Sequence, residues 1–324
     1  MNQVRKLLHF VRPYWKKALL SLLLLAAVVL MDLAIPRLVQ RIIDQGIGQK
    51  DMRVVLTTSA WMLSISLLST VFAVGNNNIS IQVGESVARD LREALFLHIQ
   101  DFSFGNLDRM QTGQLIVRLT SDTGAFQRLV QVTLRIGTRA PLLMIGSLIL
   151  MFNTDRSLAL KVLPILFLTS GVIIFFVSRM GPLFMQVQRR LDRLNNVLQE
   201  NIAGGRVVKA FVRADHESQR FGQTNTDFTL FNIKVMQFMS SMGPTLSILL
   251  NIGIVLVIWS GGLQAIEEEI TTGQLVAFVN YLQTTLGPLM IMAMLANTWA
   301  AGIASAERIN EVLDTLPEVR QVLA

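Results

Sequence analysis

Residues 54–84 read VVLTTSAWMLSISLLSTVFAVGNNNISIQVG, 31 consecutive positions without Asp, Glu, Lys or Arg. A helix crosses the hydrocarbon core of a bilayer with roughly 20 apolar residues, so this stretch is long enough to span and to continue beyond. Two further runs are also uncharged, Val235 to Ile266 with 32 residues and Ile270 to Ala306 with 37. Across the 324 residues 52% are hydrophobic and 16% charged, against roughly 25% charged in soluble domains. The expected class is an all-α polytopic membrane protein.

Six spans are predicted, at about 18–39, 54–74, 136–152, 158–177, 242–266 and 275–296. Arg5, Lys6, Arg12, Lys16 and Lys17 precede the first of them, as in a signal peptide. Apolar helical character resumes past Asp32 at Ile35, Leu38 and Val39, so the segment reads as a span rather than a cleaved leader. Arg135 and Arg139 open the third span and are expected to reach toward headgroups. Lys161 and Pro164 in the fourth fit an end lysine and a kink.

Charge sets the orientation. Residues 1–17, 85–139, 179–234 and 307–324 hold 5, 7, 9 and 2 Lys or Arg, 23 of the 29. The positive-inside bias then puts both termini and both long connections in the cytoplasm of a multi-pass inner (cytoplasmic) membrane protein. The same bias accounts for the net charge of +7 without a nucleic-acid partner.

The two long cytoplasmic connections, about 75–135 and 178–241, are helical in pattern. Ile81, Ala88, Leu91, Leu95, Ile99 and Phe102 mark one apolar stripe; Phe184, Val187, Leu191, Leu194 and Leu198 mark a seam of 3-4-3-4 spacing. The spans are therefore expected to continue as rods roughly 40 Å past the membrane. Each rod breaks near its middle. The first break is Phe104 to Gly113, where two glycines and Asn-Leu-Asp disfavour helix; the second is Ile202-Ala203-Gly204-Gly205-Arg206-Val207-Val208-Lys209. Hairpin tips of this kind are where a cytoplasmic partner would touch, or they are plain solvated turns.

Catalytic chemistry is missing. No G-x-x-x-x-G-K-[ST] phosphate loop occurs, so no catalytic or cofactor-binding residue is expected. Ser260-Gly261-Gly262 reads as close helix packing through small residues. With no cysteine, thiolate metal sites and disulfides are excluded, and His9, His98 and His216 are too scattered in sequence to form a metal motif. Asp32 is the one acid well inside an apolar span. It reads as a paired or cavity-facing carboxylate, or else as a proton-coupling site. Met290, Met292, Met294, Asn297 and Trp299 offer an adaptable cavity wall, although consecutive even positions cannot share a helix face. Asp32, Met290, Met294 and Asn297 are the candidate substrate-cavity residues.

Several segments together resemble the type 1 transmembrane domain of ATP-binding cassette exporters, particularly bacterial multidrug- or lipid-type half-transporters. They are Phe10-Val11-Arg12-Pro13-Tyr14-Trp15, Ile42-Ile43-Asp44-Gln45-Gly46-Ile47, Thr112-Gly113-Gln114-Leu115 through Ser121-Asp122, Gly205-Arg206-Val207-Val208-Lys209-Ala210-Phe211, Thr272-Gly273-Gln274-Leu275 and Ala306-Glu307-Arg308-Ile309. Their order and spacing cover essentially the whole chain. Thr123-Gly124 departs from the pattern where an uninterrupted helix is expected. The resemblance implies that the tips are coupling helices docking on nucleotide-binding domains: Asn106, Leu107, Asp108, Arg109, Met110, Gln111 and Thr112 in the first, Ile202 to Lys209 in the second. Leu107, Met110, Val207 and Phe211 would be the apolar anchors.

On that resemblance residues 1–324 form a single transmembrane domain, with 307–324 beginning a linker toward a nucleotide-binding domain absent from the chain. ATP and Mg would bind there and not on these residues. The remaining partners are membrane lipid, a second transmembrane subunit in a homo- or heterodimer, and a hydrophobic or amphipathic solute exported by alternating access. The competing expectations are an ATP-independent carrier or channel using Asp32, and a non-transporting scaffold subunit.

Overall fold

The computed structural model describes residues 2–316; Met1 and residues 317–324 lie outside it, as do the side chains of Asn2, Gln3, Asp108, Leu286, Leu289, Met290, Ala293 and Met294. The described residues are helical nearly throughout, without a strand. In order, the helices are α1 (Asn2–Leu7), α2 (Trp15–Arg41), α3 (Met52–Gln100), α4 (Phe104–Arg109), α5 (Thr112–Val117), α6 (Thr123–Val132), α7 (Arg139–Thr154), α8 (Arg156–Ala203), α9 (Gly205–Ala210), α10 (Ala214–Ile266) and α11 (Thr272–Asp314).

The decisive uncharged stretch lies in α3, whose 49 residues measure about 74 Å at 1.5 Å per residue. That is more than twice the roughly 30 Å of a hydrocarbon core. Among the described residues, five helical stretches are long and apolar enough to cross a membrane: Arg12–Ile47, Met52–Gln100, Thr112–Thr154, Arg156–Ala203 and Ala214–Ile266. The sixth expected span lies in the 43-residue α11. The stretch from α5 to α7 stays helical through two π segments, Arg118–Asp122 and Thr133–Gly137. Gly124 therefore causes no break, since helix on both sides of it carries the backbone hydrogen bonds through.

The chain divides into two compact units, one of residues 1–161 and 256–324, the other of residues 162–255. In the first, an apolar core joins Leu7, the α3 residues Val83, Val87, Leu91 and Leu95, Phe126 of α6 and Ile309 of α11. Leu91 and Leu95 were on the expected stripe; its strongest members also include Val83 and Val87, a four-residue repeat that closely packed α6 and α11 cover. Gly261 also belongs to this unit. A methyl group on it would meet Leu275 at 2.5 Å and Leu158 at 3.1 Å, as its reading as a small packing residue requires.

In the second unit α8 and α10 are tied by ion pairs Arg190–Asp227 and Arg220–Glu200 and by the ring pair Phe176–Phe238. The seam differs from the expected register. Leu194 is buried and so is Val197, whereas Phe184 and Leu198 are exposed. The 3-4 repeat assigned Leu198 to the contact; the buried pair is instead Leu194 and Val197, three residues apart, with Leu198 on the open side.

Candidate functional site

The first tip begins at Ser103. Its side chain and that of Asn106 cap each other's backbone N–H groups, a reciprocal capping box that starts α4 after the break at Asp101–Phe102. Met110, extended at φ −102° and ψ 104°, ends α4, and α5 starts at Thr112. The expected coupling segment Asn106–Thr112 thus straddles α4, an extended link and the start of α5. The residue types divide by direction. Phe104 is 88% exposed and Leu107 and Arg109 are exposed, while Asn106 is buried and Met110 packs back on the apolar core. Gln111 and Thr112 are exposed at the α5 start. Phe104, one residue pair before the predicted segment, is the apolar side chain that sequence spacing missed.

The second tip is sharper. α8 runs through Ile202 and Ala203, Gly204 turns the chain, and α9 carries Gly205, Arg206, Val207, Val208 and Lys209. Ile202, Val207, Phe211 and Val212 are all exposed, Val212 at 86%. Val212 also sits at φ 54°, a left-handed conformation that a β-branched side chain adopts only under strain. Behind α9 a groove of about 440 Å³ opens between α8 and α10, lined by Val197, Leu198, Val208 and Phe221 with Lys209 and Glu217 at its polar positions.

Asp32 has a partner 107 positions away. Its carboxylate accepts from Arg139 Nη2 at 2.8 Å and from Ser69 Oγ at 3.4 Å. Arg135 donates to Asn77 Oδ1 at 2.8 Å. Arg135 and Arg139, expected to reach for headgroups, turn instead to these polar partners. A cavity of about 570 Å³ lies there, walled by Leu25, Val28, Ser69, Asn77, Arg135 and Arg139. Asn297 is exposed on α11; the side chains of Met290 and Met294 lie outside the described residues, so their part in a cavity stays an expectation.

Two further constellations involve residues that the sequence offered no reason to pair. Asp44, in the π segment after α2, accepts from Thr271 Oγ1 at 2.6 Å and from the Gly273 N–H at 2.9 Å, capping the start of α11. The macrodipole of a long helix favours an anion there. Asp122 is 2% exposed and accepts from Ser305 Oγ at 2.9 Å, Arg308 Nε at 3.0 Å and Arg118 Nη1 at 3.3 Å. Burial alone would raise its carboxyl pKa. Hydrogen bonds from Arg308 and Ser305, with the charges of Arg308 and Arg118, outweigh burial and hold it below the ordinary value.

Long apolar rods with helix-borne tips define a multi-pass membrane protein whose helices reach well past the bilayer. The model of the ABC transporter transmembrane region matches residues 18–289, and the chain belongs to that family. It is 31% identical over 321 residues, 98% of this chain and 56% of the relative, to YfiB of Bacillus subtilis (strain 168), an uncharacterised ABC transporter ATP-binding protein. A protein described in the same words from Mycobacterium tuberculosis is 29% identical, with 94% of this chain and 52% of the relative covered. The ATP-dependent lipid A-core flippase of Desulfotalea psychrophila is 28% identical, with 98% and 55% covered. The chain spans about half the length of these relatives.

Proposed function

We propose that this chain is the membrane half of an ATP-driven exporter. It dimerises, with itself or a related subunit, and moves an amphipathic or lipid-like solute through an alternating-access pathway. Nucleotide-binding domains, where ATP and Mg bind, dock on the α4 and α9 tips from the cytoplasm, the side on which both termini lie. Residues 1–324 act as one transmembrane domain, and the stretch after α11 leads toward such a nucleotide-binding domain.

The observation that carries this reading is the pair of tips: short helices at the ends of rods, each presenting exposed apolar residues, Phe104 and Leu107 on one, Ile202, Val207 and Phe211 on the other. A short helix fixed to a rod transmits displacement as a body. Closure of ATP-bound partners would then shift the rods between two states by binding energy. Strain at Val212 fits a segment shaped for contact rather than for its own stability. The solute class is supported by the arginine-bearing cavity beside Asp32, which pairs apolar walls with polar groups, and by the lipid A-core flippases among the relatives.

The ATP-independent carrier has weaker support, because Asp32 is held by Arg139 and Ser69 rather than left as a lone acid. Proteoliposomes containing the chain with its nucleotide-binding domains, loaded with a fluorescent phosphatidylglycerol or a cationic dye, separate the two. Movement that requires ATP and Mg supports the exporter. Movement driven by a proton gradient without ATP, and lost in Asp32→Asn, overturns it.

A further inference from the structure

Past the end of α11 the backbone becomes extended, with Thr315 at φ −73° and ψ 116°. Two side chains of the first hairpin hold it. His98 Nε2 lies 2.9 Å from the Thr315 carbonyl oxygen, and Asn106 Nδ2 donates to the Leu316 carbonyl oxygen at 3.1 Å. A carbonyl only accepts, so His98 presents Nε2–H. Two adjacent carbonyls just past α11 are thus each held by a side chain of the first hairpin. His98 belongs to α3 and Asn106 to α4, on either side of the break at Asp101–Ser103. Thr315 and Leu316 together therefore fasten both the rod and its tip.

Asn106 is shaped for this task. It is 6% exposed, its Oδ1 is engaged by the Ser103 N–H and hydroxyl, and the capping box thereby aims its Nδ2 at the Leu316 carbonyl. His98 is seated edge-on against Phe102, ring centroids 5.4 Å apart. The end of α11 is held again just upstream, by Asp122 on Ser305 and Arg308 and by the Lys6–Asp314 pair at 2.6 Å.

We propose that His98 and Asn106 are positioning residues that buckle the exit of α11 at Thr315 and Leu316 to the first tip, so that α4 and the end of α11 move as one body. This rests on the reading of α4 as a coupling helix. Its consequence is that a nucleotide-binding partner delivers its motion to α4 and to α11 together, with no hinge between the two points of attachment.

The chain has no cysteine, and Phe104 and Leu316 are both exposed, so spin labels on F104C and L316C report the buckle by dipolar EPR. The unmodified pair should give one narrow separation, the same in the chain alone, with its nucleotide-binding domains, and with ATP and Mg added. His98→Phe keeps the ring contact and removes the donor. Asn106→Asp keeps the acceptor toward Ser103 and removes the donor toward Leu316. Each should raise the detached population roughly threefold to tenfold, the worth of a single hydrogen bond, and lower the solute moved per ATP without shifting the thermal midpoint. A separation that changes with ATP in the unmodified pair, or one unaltered by either variant, overturns the proposal; should Asn106→Asp not fold, His98→Phe decides alone. An intact buckle, in a chain whose unlabelled form with Phe104 in place shows no ATP-dependent movement, would instead sink the exporter reading and leave the buckle standing.

Discussion

Asp122 shows how a single residue can be decisive and yet illegible. In sequence it is one more acid after Arg118-Leu119-Thr120-Ser121; its partners Ser305 and Arg308 lie more than 180 positions on, and spacing gives no hint of pairs at that range. Arg308→Ala leaves a nearly buried carboxylate with only Ser305 and Arg118 and should cost about 2 kcal/mol, less than the 3–5 kcal/mol of a wholly abandoned buried charge. Because the folded-state pKa lies below the ordinary 3.8, the unfolded chain binds the proton more readily. The carboxylate's contribution is complete above that value and fades as pH falls through the lower, folded one. Thermal midpoints of the wild-type chain and Asp122→Asn should accordingly differ most near neutrality and converge in acid. A gap that widens on acidification would contradict the assignment. The Asp32–Arg139 pair was equally hidden: Asp32 stood out in its span, but the partners nearest in sequence, Arg37 and Lys50, are not the ones bonded to it.

Elements were more readable than pairs. The spans announced themselves because hydrocarbon tolerates only long apolar helices, and the tips because glycines cluster there, although Gly105 and Gly113, expected to break helix, lie inside α4 and α5 and the breaks fall at 101–103 and 110–111. What sequence pattern could not supply was direction. Met110 seemed an outward anchor and packs inward; Leu198 seemed a seam residue and lines a groove. These depend on where a neighbouring helix lies, not on the residue's own type. The junction of α2 with α11 makes a sharper test at this scale. A Cβ on Gly273 would lie 2.6 Å from Asp44 Oδ1 and 2.6 Å from the Gln40 carbonyl oxygen, one of them rigid backbone. Gly273→Ala should therefore destabilise the fold by about 1–3 kcal/mol, the usual cost of overpacking, whereas Gly243→Ala, where a methyl meets nothing within 4 Å, should be neutral or slightly stabilising through helix propensity. Equal effects in thermal unfolding would count against the close approach.

At the scale of the whole molecule, α3, α8, α10 and α11 exceed a bilayer's thickness by a wide margin, and the proposed function turns on which side that excess lies. Of the 29 Lys and Arg, 23 fall on the segments assigned to the cytoplasm. Single cysteines at Arg109 and Arg206 should be modified by a membrane-impermeant maleimide in inverted vesicles and spared in intact cells, with Arg53→Cys showing the reverse.

The central claim is that the tips receive motion from nucleotide-binding domains, and crosslinking reads this most directly. Phe104→Cys and Phe211→Cys, each in the cysteine-free chain, are paired with single cysteines on the surface of those domains and exposed to a short bifunctional maleimide. Crosslinks from both tips, with yields that change when ATP and Mg are added, are the predicted result. Tips that stay uncrosslinked while the domains are bound, or that react only from outside the cell, would contradict the account.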